Sequence, residues 1–157
     1  ARYCKLQPFT LGGESENYAA GERVCLFEPQ EFMAAPFICY DLRFPELFRR
    51  AAARGANLIV VIASWPAVRD DHWVTLLKAR AIENLAYVVG VNRCGQDPKH
   101  YHSGRSVIYD PHGRVMADAG GEEGWIEAQL ELQPLLDWRR NFPALVDMRQ
   151  DFNRLEK

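Results

Sequence analysis

The run Asn57-Leu58-Ile59-Val60-Val61-Ile62-Ala63 constrains this chain most. It is apolar, β-branched and free of the polar alternation that marks a strand with one face in water. Such a run fits a strand covered on both faces. Ala86 to Val91 is a second run of the same kind. Between them, Trp73, Leu76, Leu77, Arg80 and Ala81 recur at helical spacing over residues 70–84. Upstream, Ala34 to Ile38 reads as a strand. Pro45 suits the first turn of a helix, where its missing N–H does no harm, and that helix runs to about Arg54 and stops at Gly55. The order strand–helix–strand–helix–strand predicts an α/β layered fold with a mixed sheet. Helices on both sides of that sheet would bury the runs at 58–63 and 86–91.

The flanking segments read differently. Gly12 to Asn17 has loop composition within an irregular stretch 1–22, and Val24 to Phe27 reads as a short strand. Ser106 to Tyr109, Asp110 to Gly113 and Arg114 to Ala117 form strand, tight turn and strand. Trp125 to Leu132 is a further strand candidate, and from Pro134 a polar helix or tail follows. No repeat interrupts the chain, so residues 1–157 are expected to form a single domain.

The balance of charge excludes several classes of partner. A net charge of −2 offers no electrostatic pull toward nucleic acid or an anionic membrane. The longest apolar run, Leu58 to Ala63, is far too short to span a bilayer. No leader-like segment opens the sequence, so a cytoplasmic location is expected. Cys4, Cys25, Cys39 and Cys94 share no C-x-x-C spacing, and His72, His100, His102 and His112 have no ligand spacing, so no metal is expected. Reduced thiols are expected, with Cys4, Cys25 and Cys94 inert.

Cys39 stands apart. It follows a predicted strand, precedes a predicted helix and leads into the charged stretch Asp41-Leu42-Arg43-Phe44-Pro45-Glu46. Backbone N–H groups at a helix start favour negative charge, which lowers a thiol's pKa and can hold an oxyanion. A buried core cysteine is the alternative reading.

The segment Ile38-Cys39-Tyr40-Asp41-Leu42-Arg43-Phe44-Pro45-Glu46 resembles the nucleophile segment of the nitrilase superfamily, the carbon–nitrogen hydrolases. Tyr3-Cys4-Lys5-Leu6-Gln7-Pro8-Phe9 resembles the segment that carries that family's catalytic lysine. Gly13-Glu14-Ser15-Glu16-Asn17 to Gly21 resembles the loop with its second, positioning glutamate. Ala63-Ser64-Trp65-Pro66-Ala67, Lys78 to Tyr87, Gly90-Val91-Asn92-Arg93 and Ser103-Gly104-Arg105-Ser106 continue the likeness in order along nearly the whole chain. The Ser-Trp-Pro and Gly-Val-Asn-Arg variants are most similar to the ω-amidase branch.

This resemblance implies an α-β-β-α sandwich and a cysteine amidase without cofactor, acting on the terminal amide of an α-keto acid amide such as α-ketoglutaramate. Cys39 is implied as nucleophile, Lys5 as the cation near the oxyanion, and Glu14 as the lysine's partner, with Glu16 as the competing choice. The N–H of Tyr40 is implied as a second oxyanion donor, and Trp65 is either a pocket wall or plain core. A nitrile, a carbamoyl amine or an aliphatic amide are the competing substrates. A homodimer or larger homo-oligomer is implied as well. The family's general-base glutamate precedes its lysine segment, which here begins at residue 3. The chain is therefore expected to be the C-terminal portion of such a domain, N-terminally truncated and poorly active alone. The competing reading is an inactive interaction or dimerisation module. Arg43 and Glu46, with Asp41, are expected to brace the nucleophile turn by ion pairing, and Arg80, Glu83 and Asn84 to form a solvated helix face.

Overall fold

The computed structural model describes residues 2–149. A 3₁₀ turn at Thr10–Gly12 and a single helical turn, α1 (Glu14–Asn17), replace the expected loop at 12–17. The framework follows: β1 (Ala34–Ile38), α2 (Pro45–Ala53), β2 (Leu58–Ala63), α3 (Asp70–Asn84) and β3 (Tyr87–Asn92). Pro45 opens α2, and Gly55, at φ 97°, follows its end in a left-handed conformation. Two short hairpins come next. One joins β4 (Cys94–Gln96) to β5 (Tyr101–Ser103), and the other joins β6 (Val107–Tyr109) to β7 (Val115–Asp118) around Asp110, whose side chain accepts from the N–H groups of His112 and Arg114. The helix α4 (Leu132–Asn141) ends the described core.

Strands β1, β2, β3, β6 and β7 lie side by side in that order, the first three parallel and the last two antiparallel. The expected mixed α/β sheet is present. Its cover differs from expectation. Right-handed crossovers that step in one direction, β1 to β2 to β3, deliver both connecting helices to the same face. Ile59 and Val61 are buried there with Phe37, Phe48, Trp73 and Leu77. On the other face, Ile62 is 51% exposed and Val91 47%. Among the described residues, cover on that face comes at one end, where Leu135 of α4 packs with Phe32 and Tyr87. Arg139 fastens α4 by donating to the carbonyls of Leu85, Ala56 and Asn84, and its burial lowers its pKa to about 10. The unbroken apolar run at 58–63 thus marks a strand with one sealed and one partly open face.

Two predicted strands are corrected. Val24–Phe27 contributes only an isolated antiparallel bridge, Phe27 to Ala34, because Val24 turns inward to the core instead of pairing. Residues 125–132 form no strand; Leu130 and Leu132 pack under Phe32 and Tyr87. Residues 150–157, part of the predicted tail, lie outside the described residues.

Close packing of α3 on β3 depends on Gly90. A Cβ there would overlap Leu77 Cδ1 and come within 3.0 Å of Trp73 Cζ2. Gly90→Ala is expected to lower stability by about 1–3 kcal/mol through overpacking. Urea denaturation checks this, and an unshifted midpoint would refute it.

Candidate active site

The carboxyl ends of β1 and β2 and the segment 4–14 enclose a cavity of about 1090 Å³ that opens to solvent. Cys39, Lys5, Glu14, Tyr40 and Trp65 all line it, so the fold brings every candidate residue to one place.

Cys39 sits directly after β1 at φ 48°, a left-handed conformation unusual for a residue with a Cβ. The turn it begins is a five-residue 3₁₀ segment, Cys39–Arg43, and the α-helix starts only at Pro45. The helix-start field expected at the sulfur is therefore that of a short turn. Asp41 fixes this turn. Fully buried, it accepts hydrogen bonds from the Ile38 N–H (2.9 Å), the Gln7 N–H (2.8 Å) and the Tyr3 hydroxyl (2.7 Å). It thereby ties the lysine segment to the nucleophile turn. Burial nonetheless raises its pKa, outweighing those hydrogen bonds.

The expected ion-pair brace by Arg43, Glu46 and Asp41 is not what holds the turn. Arg80 does part of that work: only 3% exposed, it donates to the Leu42 carbonyl at 2.7 Å, pairs with Glu83 at 2.9 Å and lies over the Phe48 ring. Asn84, fully buried, donates to the Arg80 carbonyl. The predicted solvated face of α3 is thus largely interior, because α3 packs across the nucleophile turn as well as the sheet.

Lys5 Nζ meets Glu14 Oε2 at 2.6 Å, and the same oxygen accepts the Phe9 N–H at 2.9 Å. Glu14 makes this contact, while Glu16 is exposed. Burial pushes the Glu14 carboxyl up, but the Lys5 hydrogen bond and charge and the Phe9 N–H hold it below its ordinary value. The pair's contribution to stability is then fully present above about pH 4.3, the ordinary glutamate value. It is lost as pH falls through the depressed one. Glu14→Gln is expected to flatten the acid side of the Tm-against-pH curve, and an unchanged acid slope would count against the pairing.

The Cys39 thiol is shifted upward. Burial dominates; the Lys5 charge and a hydrogen bond from the Ser64 backbone N–H pull it down without reversing the shift, while Glu14 and Asp41 oppose them. Desolvation thus exceeds the attraction of a lysine already engaged by Glu14.

Trp65, 3% exposed, combines both expected roles: core contact with Trp73 at 5.6 Å and cavity wall. Asn92 clamps it, accepting the Trp65 N–H at 2.7 Å and donating to its carbonyl. Asp97 and His102 are among the cavity residues that the sequence reading did not single out for a role. His102, 2% exposed, lies 3.1 Å from the Ser64 hydroxyl and 3.8 Å from Asp97. Both come from the β4–β5 hairpin, whose three-residue strands are too short to show periodicity. The only signal was proximity to the Ser103–Ser106 motif.

Comparison with known proteins places this geometry in context. A model described as carbon–nitrogen hydrolase matches residues 2–140. The 2-oxoglutaramate amidase of Bacillus subtilis (strain 168) is 41% identical over 149 residues, 95% of this chain and 58% of that protein. Omega-amidase YafV of Yersinia enterocolitica is 43% identical over 148 residues, 93% of this chain and 57% of that protein. Among solved structures, a CN-hydrolase superfamily protein from Xanthomonas campestris, with an arsenic adduct in its active site, superposes with a TM-score of 0.88 at 34% identity. It covers 93% of this chain and 58% of its own. The chain spans less than two thirds of the length of these relatives.

Proposed function

Because the chain belongs to the carbon–nitrogen hydrolase family, we propose that it carries the nucleophile half of an ω-amidase site, which hydrolyses the terminal amide of an α-keto acid amide. One observation carries this reading: Cys39 shares a cavity with an ammonium that Glu14 holds at 2.6 Å. The names of the relatives, 2-oxoglutaramate amidase and omega-amidase, support the substrate class.

The chemistry follows from the groups present. Cys39 Sγ attacks the amide carbon, and negative charge develops on the carbonyl oxygen. The Lys5 ammonium stabilises that charge, together with the Tyr40 N–H, which belongs to the first turn of a 3₁₀ segment and so has no partner within it. Burial pushes the Cys39 thiol up, and a general base takes its proton as the sulfur attacks. The family pattern assigns that base to a glutamate preceding the lysine segment, so the reaction is expected of a gene product that carries it. The proton passes to the departing nitrogen, and ammonia leaves. Water then attacks the Cys39 thioester, the carboxylic acid departs, and the thiol is restored.

The test is ammonia release from α-ketoglutaramate by the intact gene product, with mass spectrometry of rapidly quenched enzyme. An acyl adduct on the peptide containing Cys39 is expected. Turnover without an adduct on that peptide, or no turnover, would refute the proposal.

A further inference from the structure

Cys39 and Ser64 leave the sheet side by side. The parallel register pairs Ile38 with Ile62, Cys39 follows the last residue of β1, and Ser64 follows the last residue of β2. Successive peptide groups of an extended chain point to opposite sides. The Ala63 carbonyl accepts the Arg93 N–H at 3.0 Å, and the Trp65 N–H donates to Asn92 Oδ1 at 2.7 Å, both toward β3. The Ser64 N–H between them is therefore aimed at the β1 side, where it donates to the Cys39 sulfur. The β2–β3 ladder ends at Ala63 and fixes one end of that peptide. The Ser64 side chain fixes the other.

Ser64 Oγ lies 3.1 Å from His102 Nε2. The imidazole is buried, and its mount is tied on both flanks. His102 pairs with Gly95 across the β4–β5 hairpin. Asp97 closes that hairpin by accepting the N–H groups of Lys99 at 2.8 Å and His100 at 2.7 Å, with the Arg93 guanidinium at 3.2 Å. Ser103, the neighbour of His102, donates to Asp70 at the start of α3. Asp97, His102 and Ser64 nevertheless do not form a nucleophilic triad. Asp97 Oδ2 approaches, at 3.8 Å, the same Nε2 that meets the serine, so no proton passes through the ring from one to the other. The ring acts as a strut between the hairpin and the end of β2.

We propose that His102 is a positioning residue for the nucleophile: its bond to Ser64 Oγ sets the peptide whose N–H meets the Cys39 sulfur. This rests on the hydrolase reading above. A hydrogen bond to sulfur strengthens as negative charge gathers there. That happens when the thiol loses its proton and again when the thioester breaks.

The experiment uses the intact gene product as wild type, His102→Ala, His102→Gln, Ser64→Ala and the double alanine variant. The readout is the rate of Cys39 alkylation by iodoacetamide at fixed pH, followed by mass spectrometry at that residue, beside Tm and the kcat and KM for α-ketoglutaramate. His102→Ala is expected to slow alkylation and to lower kcat by about tenfold, the worth of one hydrogen bond to a charged group, with KM little changed. Ser64→Ala does the same, and the double variant falls no further than either single one, since both cut the same strut. Glutamine places an amide nitrogen where Nε2 stood and restores most of the rate. Alkylation at the wild-type rate in both single alanine variants overturns the proposal. So do losses that multiply in the double variant. A His102→Ala protein that melts early while Ser64→Ala alkylates like the wild type also overturns it, and makes the histidine plain core. Any of these results in an enzyme that turns over α-ketoglutaramate leaves the hydrolase reading standing. A wild type that releases no ammonia from α-ketoglutaramate removes both.

Discussion

Cys39→Ala is expected to lower ammonia release from α-ketoglutaramate by on the order of 10⁴-fold or more, while the protein melts close to the wild type. The two halves of that expectation have separate causes. Turnover falls because no other thiol replaces the sulfur: Cys25 donates to the Arg2 carbonyl, and Cys94 does not line the cavity. Cys4 lines it but does not follow β1 or belong to the Cys39–Arg43 turn. Stability is spared because the turn is held by other groups. Asp41 accepts its three hydrogen bonds and Arg80 holds Leu42 whether or not the sulfur is present. Alanine also keeps a Cβ at φ 48°, so the backbone strain stays as it was. Glycine would relieve that strain, and its absence is informative: a side chain is retained where the backbone disfavours one, as expected when the side chain does the chemistry. Initial-rate assays with calorimetry check both halves. A Cys39→Ala protein that keeps wild-type turnover would end the nucleophile assignment.

Lys5→Met is expected to lower kcat by about 10²–10³-fold, with a smaller change in KM. The substitution keeps most of the aliphatic stem and removes the charge. Its largest effect falls on the transition state, because the oxyanion exists there and not in the ground state. A second consequence follows from the thiol. The Lys5 charge is one of the forces pulling the Cys39 pKa down against burial. Removing it moves the thiol further upward, so alkylation of Cys39 by iodoacetamide shifts to higher pH. Without its partner, Glu14 is left with the Phe9 N–H alone, and its carboxyl moves back up as well. A pH profile identical to wild type would place the lysine charge too far from the sulfur to matter.

The central framework was legible because its signals are local. The runs at 34–38, 58–63 and 86–91 became β1, β2 and β3, and Pro45 and Gly55 bound α2 at both ends. The cavity residues were legible as a motif pattern, and the fold brings Lys5, Glu14, Cys39, Tyr40 and Trp65 to one cavity. Apolar residues at 24–27 and 125–132 misled because hydrophobicity records burial, not pairing. Val24 and Leu130 are sheltered without a ladder. The roles of Arg43 and Arg80 were exchanged for a related reason. A charged residue on a helical face reads as solvent-facing, and only the crossing of α3 over the nucleophile turn put Arg80 against Phe48 and Leu42.

By itself, then, the sequence determined the framework β1, α2, β2, α3 and β3 and which residue types gather at the cavity, since both depend on near neighbours along the chain. Tertiary structure alone decided which sheet face is sealed, which arginine braces the turn and which lines the cavity, and that burial pushes the thiol's pKa up. Each of these depends on what lies across space, where the direction of a crossover and the exclusion of water outweigh anything the adjacent residues specify.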